Sequence, residues 1–139
     1  LGNITNVLKY FLAFVAGISL FVGGIGIMNI MLIALKQRVR EVGLRKAVGA
    51  RDADIRFQFL IESVFLALLG GCFGFLLGVV LTFLSAVAIR SAGYDWRFFL
   101  TPSAGMVAFL VSLLVGLFFG AYPARRAARV SPMEALRYE

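Results

Sequence analysis

Ser63-Val64-Phe65-Leu66-Ala67-Leu68-Leu69-Gly70-Gly71-Cys72-Phe73-Gly74-Phe75-Leu76-Leu77-Gly78-Val79-Val80-Leu81-Thr82-Phe83-Leu84-Ser85-Ala86-Val87-Ala88-Ile89 runs for 27 residues without a charge. About 20 apolar residues, each rising ~1.5 Å, cross a hydrocarbon core of ~30 Å. The stretch therefore reads as a transmembrane helix with length to spare for tilt. Two more runs are of the same kind: Tyr10 to Leu35 has 26 uncharged residues and Phe98 to Ala124 has 27. One such run could be a buried helix of a soluble domain, but three in 139 residues argue against that. The first run is too long for a signal-peptide core and lacks a basic segment before it. Three strands cannot close a barrel, and lipid does not tolerate open sheet edges.

Composition agrees. The chain is 61% apolar and 15% charged, with a mean hydropathy of +0.94, against about 45–50% and about 25% in soluble domains. So small a chain cannot enclose that much apolar surface, and it is too hydrophobic to be disordered. Histidine is absent and Cys72 is the single cysteine. That removes imidazole bases, histidine-rich and cysteine-rich metal sites, and an internal disulfide. Cys72 reads as a small apolar packing residue. No nucleophile or acid–base constellation emerges, so no catalytic residue and no metal site is assigned, and the chain is not expected to be an enzyme.

Basic residues set the expected orientation. Lys36, Arg38, Arg40, Arg45, Lys46, Arg51 and Arg56 lie between the first two runs, and Arg125, Arg126, Arg129 and Arg137 follow the third. The other flanks carry Lys9, Arg90 and Arg97 alone. The positive-inside rule puts the 36–56 loop and the C-terminus in the cytoplasm, and the N-terminus and the 90–97 loop outside. Topology thus accounts for the net charge of +7. A nucleic-acid groove would need interleaved stacking aromatics, whereas most aromatics here lie in the lipid runs.

Thr101 is expected to cap the third helix, with Pro102 at its first position. Pro123 is expected to mark its end. Ser131-Pro132-Met133-Glu134 resembles a capping box, which would open a short turn over Pro132–Leu136; a frayed tail is the alternative. Gly70, Gly74 and Gly78, and separately Gly116 and Gly120 with Ala124, recur every four residues, which reads as flat faces for close helix packing. Gly24-Ile25-Gly26-Ile27-Met28-Asn29 superficially suggests a nucleotide loop, but no strand precedes it; a closely packed or flexible helix fits better. Asn29 is expected to make an interhelical hydrogen bond. Glu62 is expected to pair with Arg56 or a loop cation near the headgroups.

The loop Lys36–Asp52 carries the functional signal. Glu41 and Arg45 form a favourable i,i+4 pair, Gly49 suits a helix end, and Asp52 suits the next cap. A short helix over Arg40–Val48 follows. Val42, Leu44, Ala47 and Val48 do not share one face, which fits docking into a protein groove better than lying on a membrane. The expected fold is all-α and integral to the membrane: three transmembrane helices, with a short cytoplasmic helix between the first and second.

At this point the sequence resembles the MacB-like permeases of the FtsX-like permease family. The resemblance rests on Gly23-Gly24-Ile25-Gly26-Ile27-Met28-Asn29-Ile30-Met31-Leu32, on Arg40-Glu41-Val42-Gly43-Leu44-Arg45-Lys46-Ala47-Val48-Gly49-Ala50-Arg51, and on Gln58-Phe59-Leu60-Ile61-Glu62. Tyr122-Pro123-Ala124-Arg125-Arg126-Ala127-Ala128-Arg129 and Pro132-Met133-Glu134-Ala135-Leu136-Arg137-Tyr138-Glu139 complete it. It implies the permease of an ABC exporter in the bacterial inner membrane, working as a dimer of two copies over an ABC ATPase domain or subunit. ATP and Mg would sit on that ATPase, with no cofactor on this chain. Residues Arg40, Glu41, Val42, Gly43, Leu44, Arg45, Lys46, Ala47, Val48 and Gly49 would be the coupling helix. ATP-driven closure would move the helices and an outer domain (mechanotransmission), expelling drugs, peptides or similar compounds. Gram-negative relatives add a periplasmic adaptor and an outer-membrane channel.

The implied organisation is an extracytoplasmic linker end over 1–9 and an FtsX-like permease domain over 10–139. The latter comprises transmembrane segments 10–35, 57–89 and 102–124, the coupling segment 36–56, the outer loop 90–101 and the tail 125–139. The family has four membrane helices, and some members have a fused ATPase. Here three runs are present, no phosphate loop occurs and the first residue is Leu1, so a C-terminal portion of a longer permease is expected. The alternatives are an FtsX-like regulator of cell-wall hydrolysis, a lipoprotein-releasing permease, and, least favoured, a free-standing three-helix pore.

Overall fold

The computed structural model describes residues 2–94, 101–131 and 133. Among these, four α-helices follow in order: α1 Gly2–Gln37, α2 Val39–Ala47, α3 Asp52–Ser91 and α4 Pro102–Ala128. The helices α1, α3 and α4 are long and apolar enough to cross a membrane. α1 and α3, at 36 and 40 residues, are longer than their uncharged runs, whereas α4 matches its run at 27 residues but is shifted toward the C-terminus. α1 is helical from Gly2, through the segment expected as a linker end. α3 begins at Asp52, so roughly 15 Å of helix precedes Ser63. Of the turn expected over Pro132–Leu136, Met133 alone is described, as helical; the rest lies outside the described residues.

The helix α4 differs from expectation at its end. Pro123 does not terminate it; the helix continues to Ala128, with Pro123 buried inside it. A proline deletes one backbone donor and crowds the preceding turn. Burial of Ala124, Ala127 and Ala128 just beyond it holds the helical path. At the other end Thr101 occupies the N-cap position and Pro102 the first turn, but the Thr101 side chain makes no capping bond. Its carbonyl accepts from the Ala104 amide at 2.9 Å instead.

α3 and α4 form the main packed pair, with α1 resting chiefly on α4. A ridge of Phe59, Ser63, Ala67 and Gly71 on α3 meets Ser112, Gly116, Gly120 and Ala124 on α4, both stepping by four residues. Small residues at that spacing let backbones approach closely where no hydrophobic force drives association. A Cβ on Gly116 would lie 2.7 Å from the Val64 Cα, and one on Gly120 would strike the Ser63 hydroxyl. Ser63 is fully buried. Its hydroxyl proton serves the Leu60 carbonyl at 2.7 Å and the Gly116 carbonyl across the interface at 3.1 Å. Gly71 lies against Ser112 in the same way.

Gly70, Gly74 and Gly78 are exposed, with open space around each. One residue is ~100° of helix rotation, so this series lies a third of a turn from the α4-facing ridge. Between α1 and α4 the close contact is Gly24, which the Phe119 ring covers; Phe21 meets that ring edge-on at 5.6 Å. Asn29 is exposed, and among the described residues it forms no interhelical hydrogen bond.

The tightest core gathers at one end of the bundle. Met31 and Leu35 from α1, Val42 from α2, Ile55 and Phe59 from α3, and Ala124 and Ala127 from α4 form one buried cluster. Residues 2–22 of α1 are exposed throughout. The three long helices are thus joined firmly at the end that carries α2, and present apolar surface elsewhere.

Candidate functional site

The candidate site is α2 and what braces it. The helix is nine residues long, Val39–Ala47, where the sequence suggests Arg40–Val48. It ends on a glycine motif. The Ala50 amide donates to the Arg45 carbonyl at 3.0 Å, and the Gly49 amide to that of Lys46 at 3.1 Å. This paired pattern needs a left-handed residue, and Gly49 supplies it with φ +104°. The next helix starts one residue earlier than expected. Arg51, not Asp52, is the N-cap, and the Asp54 carboxylate reaches back to accept the Arg51 amide at 3.0 Å. Asp52, in the first turn, lies beside the helix amides, where its negative charge is favourable.

Val42 and Gly43 point inward and are buried. Around them polar ties run to other helices. Arg45 bonds Glu41 on its own helix, as its spacing suggests, and also donates to Gln58 of α3 at 2.6 Å. Glu62 pairs with Arg38 at 3.3 Å rather than with Arg56. Arg56 is six residues away on the same helix, far round the cylinder from Glu62.

Lys46, expected only as one residue of the coupling segment, is a junction between helices. Its side chain is 12% exposed, and Nζ lies 2.7 Å from Asp52 of α3. The same ammonium donates to the Ala128 carbonyl at 2.8 Å and the Val130 carbonyl at 3.0 Å. These carbonyls lie at the end of α4, the negative pole of that helix. A single cation therefore ties α2 to both α3 and α4. A lysine in a charged loop has no sequence signature for this role.

The outward side of α2 is different. Arg40, Glu41, Leu44, Ala47, Val48 and Gly49 are exposed, with Leu44 at 48% and Val48 at 87%. Apolar and charged groups alternate on a rigidly held, solvent-facing helix. Chemically this surface can dock a protein; it holds no reactive group. Of the expected packing glycines, Gly116 and Gly120 lie between α3 and α4, and Gly70, Gly74 and Gly78 do not.

Three helices long and apolar enough to cross a membrane, the first two joined by a short braced helix, define the class as a membrane-helix bundle. The chain belongs to the FtsX-like permease family: the model of the FtsX-like permease C-terminal domain matches residues 13–132. It is 47% identical over 134 residues to the macrolide export ATP-binding/permease protein MacB of Photorhabdus laumondii, covering 96% of this chain and 20% of that protein. The MacB of Escherichia coli K12 is 47% identical over 135 residues, 97% of this chain and 20% of that protein. That of Haemophilus ducreyi is 45% identical over 139 residues, 100% of this chain and 19% of that protein. The chain spans about a fifth of the length of these relatives.

Proposed function

We propose that this chain is the permease portion of an ABC exporter, in which α2 is the coupling helix that receives movement from an ATPase. ATP and Mg would be held by that ATPase, and drugs, peptides or similar compounds would be expelled. The supporting observation is the two-sidedness of α2. Its inner side is tied to α3 and α4 through Lys46 and Arg45 and packs on α1 through Val42. Its outer side offers Leu44 and Val48, both left exposed by the described residues. A push on such a helix is delivered to the ends of three membrane helices together, because packed cores shift as units. The proposed orientation follows the basic residues: α2 and the end of α4 face the cytoplasm. A second copy is expected against the exposed apolar helix faces.

The test uses the full-length protein with its ATPase. Leu44→Asp combined with Val48→Asp removes the exposed apolar contacts and leaves Lys46, Arg45 and Val42 in place. The expected result is a drop of about tenfold or more in permease-coupled ATP turnover, the scale of losing an anchor residue, with unchanged thermal stability. Wild-type turnover in that variant overturns the coupling role. Charge reversal at Arg45 is a poorer test, since it also breaks the Gln58 bond.

A further inference from the structure

Tyr122, Arg125, Arg126 and Arg129 are spaced i, i+3, i+4 and i+7, so they share one face of α4. All four are exposed and line a single open cleft of about 480 Å³. The other face of the same turns, Pro123, Ala124, Ala127 and Ala128, is buried in the bundle. Among the described residues no acidic side chain pairs with any of the three arginines. Three like charges within two turns repel one another, which an arriving anion would relieve.

The same face changes character along the helix. Leu114 is 61% exposed, Phe118 75% and Tyr122 55%. The order is therefore aliphatic, aromatic, tyrosine, then arginine. From Phe118 to Arg126 the rise is about 12 Å, enough to pass from the hydrocarbon edge into the headgroup layer. Tyrosine is the residue type that sits at that boundary. Arginine matches phosphate oxygens with paired donors. The basic end continues without a break into the exposed aromatic and aliphatic residues of the same face, so one ligand with an anionic head and an apolar tail matches its whole length.

We propose that this face of α4 is a binding site for an anionic phospholipid in the leaflet at the α2 end. Arg125, Arg126 and Arg129 hold the headgroup phosphate, Tyr122 lies at the interface, and Phe118 and Leu114 lie along an acyl chain. The site anchors the end of α4 whose terminal carbonyls Lys46 holds, so lipid binding stabilises the junction with α2. This inference does not depend on ATPase docking.

The experiment is native mass spectrometry of the full-length protein, delipidated in detergent and titrated with phosphatidylglycerol or phosphatidylcholine. Phosphatidylglycerol should be retained about tenfold better, as expected for several basic contacts. The Arg125→Gln, Arg126→Gln, Arg129→Gln triple variant should bind both lipids equally. The Arg40→Gln, Arg51→Gln control, altered at exposed arginines outside this face, should keep the preference. Equal retention of the two lipids by the wild type, or a preference that survives in the triple variant, overturns the proposal. Displacement of phosphatidylglycerol by millimolar inorganic phosphate also overturns it, since the site would then take a soluble anion. A triple variant that loses ATPase coupling but keeps the lipid preference would assign the face to a protein and overturn it as well.

Discussion

Lys46 shows how much one side chain can hold. It satisfies two carbonyls at the end of α4 and pairs with Asp52, while itself nearly buried. Hydrogen bonds from a charged donor contribute about 1.5–3 kcal/mol, and the Asp52 pairing adds little because that carboxylate is exposed. Lys46→Met keeps the length of the stem and removes the donor. It should destabilise this end by about 2 kcal/mol and loosen the last turn of α4. Trypsin should then cut faster at Arg125, Arg126 or Arg129 in detergent-solubilised protein, whereas Arg51→Met should leave the cleavage rate unchanged. Equal rates in wild type and Lys46→Met would remove Lys46 as the brace. The pairing of Arg45 with Glu41 was legible from spacing, because both lie on one helix. The bonds from Lys46 to α4, more than 80 residues later, were not.

At the scale of helices, two glycine arguments separate. Gly49 is required by backbone conformation, since its φ of +104° disfavours any side chain. Gly49→Ala should cost about 1–2 kcal/mol and change the angle between α2 and α3. A lower thermal midpoint together with reduced ATPase coupling would report both effects. Gly116 and Gly120 are required by packing against α3. Gly120→Ala places a methyl group on Ser63, and overpacking of this kind costs about 1–3 kcal/mol. Gly74→Ala meets open space and should leave the midpoint of the chain unchanged or slightly raised. The reverse ranking would mean that α3 turns its other face to α4. Both glycine series were visible in the sequence, but spacing reveals a flat face without saying what it faces. The α3 side of the interface uses Ser63, Ala67 and Gly71, and looking for small residues rather than glycines alone would have found it. The end of α4 was misjudged because proline is a local signal, and burial of Ala124, Ala127 and Ala128 outweighs it.

Over the whole molecule, apolar side chains from all four helices meet at the end that carries α2. Residues 2–22 of α1 remain exposed to whatever surrounds the chain. Lipid gives helices no hydrophobic reason to associate, so the membrane-facing lengths rely on close backbone contact. At the α2 end water is near, and burial of Val42, Ile55 and Phe59 is driven in the ordinary way. The orientation is open to direct test. In a Cys72→Ser background, Val48→Cys should react with a membrane-impermeant maleimide only after the inner membrane is opened. Tyr94→Cys should react from the outside in intact spheroplasts. The opposite pattern would invert the topology derived from the basic residues.

Three membrane-length helices, the short helix between the first two and the family itself were set by local quantities: run length, charge placement and ordered motifs. These are written along the chain and need no partner to be read. Which small residues meet, that Arg38 rather than Arg56 answers Glu62, and that Lys46 joins α2 to the end of α4 were decided only by the tertiary structure. Each depends on the rotation of one helix against another. A helix turns ~100° per residue, so a difference of one position changes the facing partner while the sequence pattern looks the same.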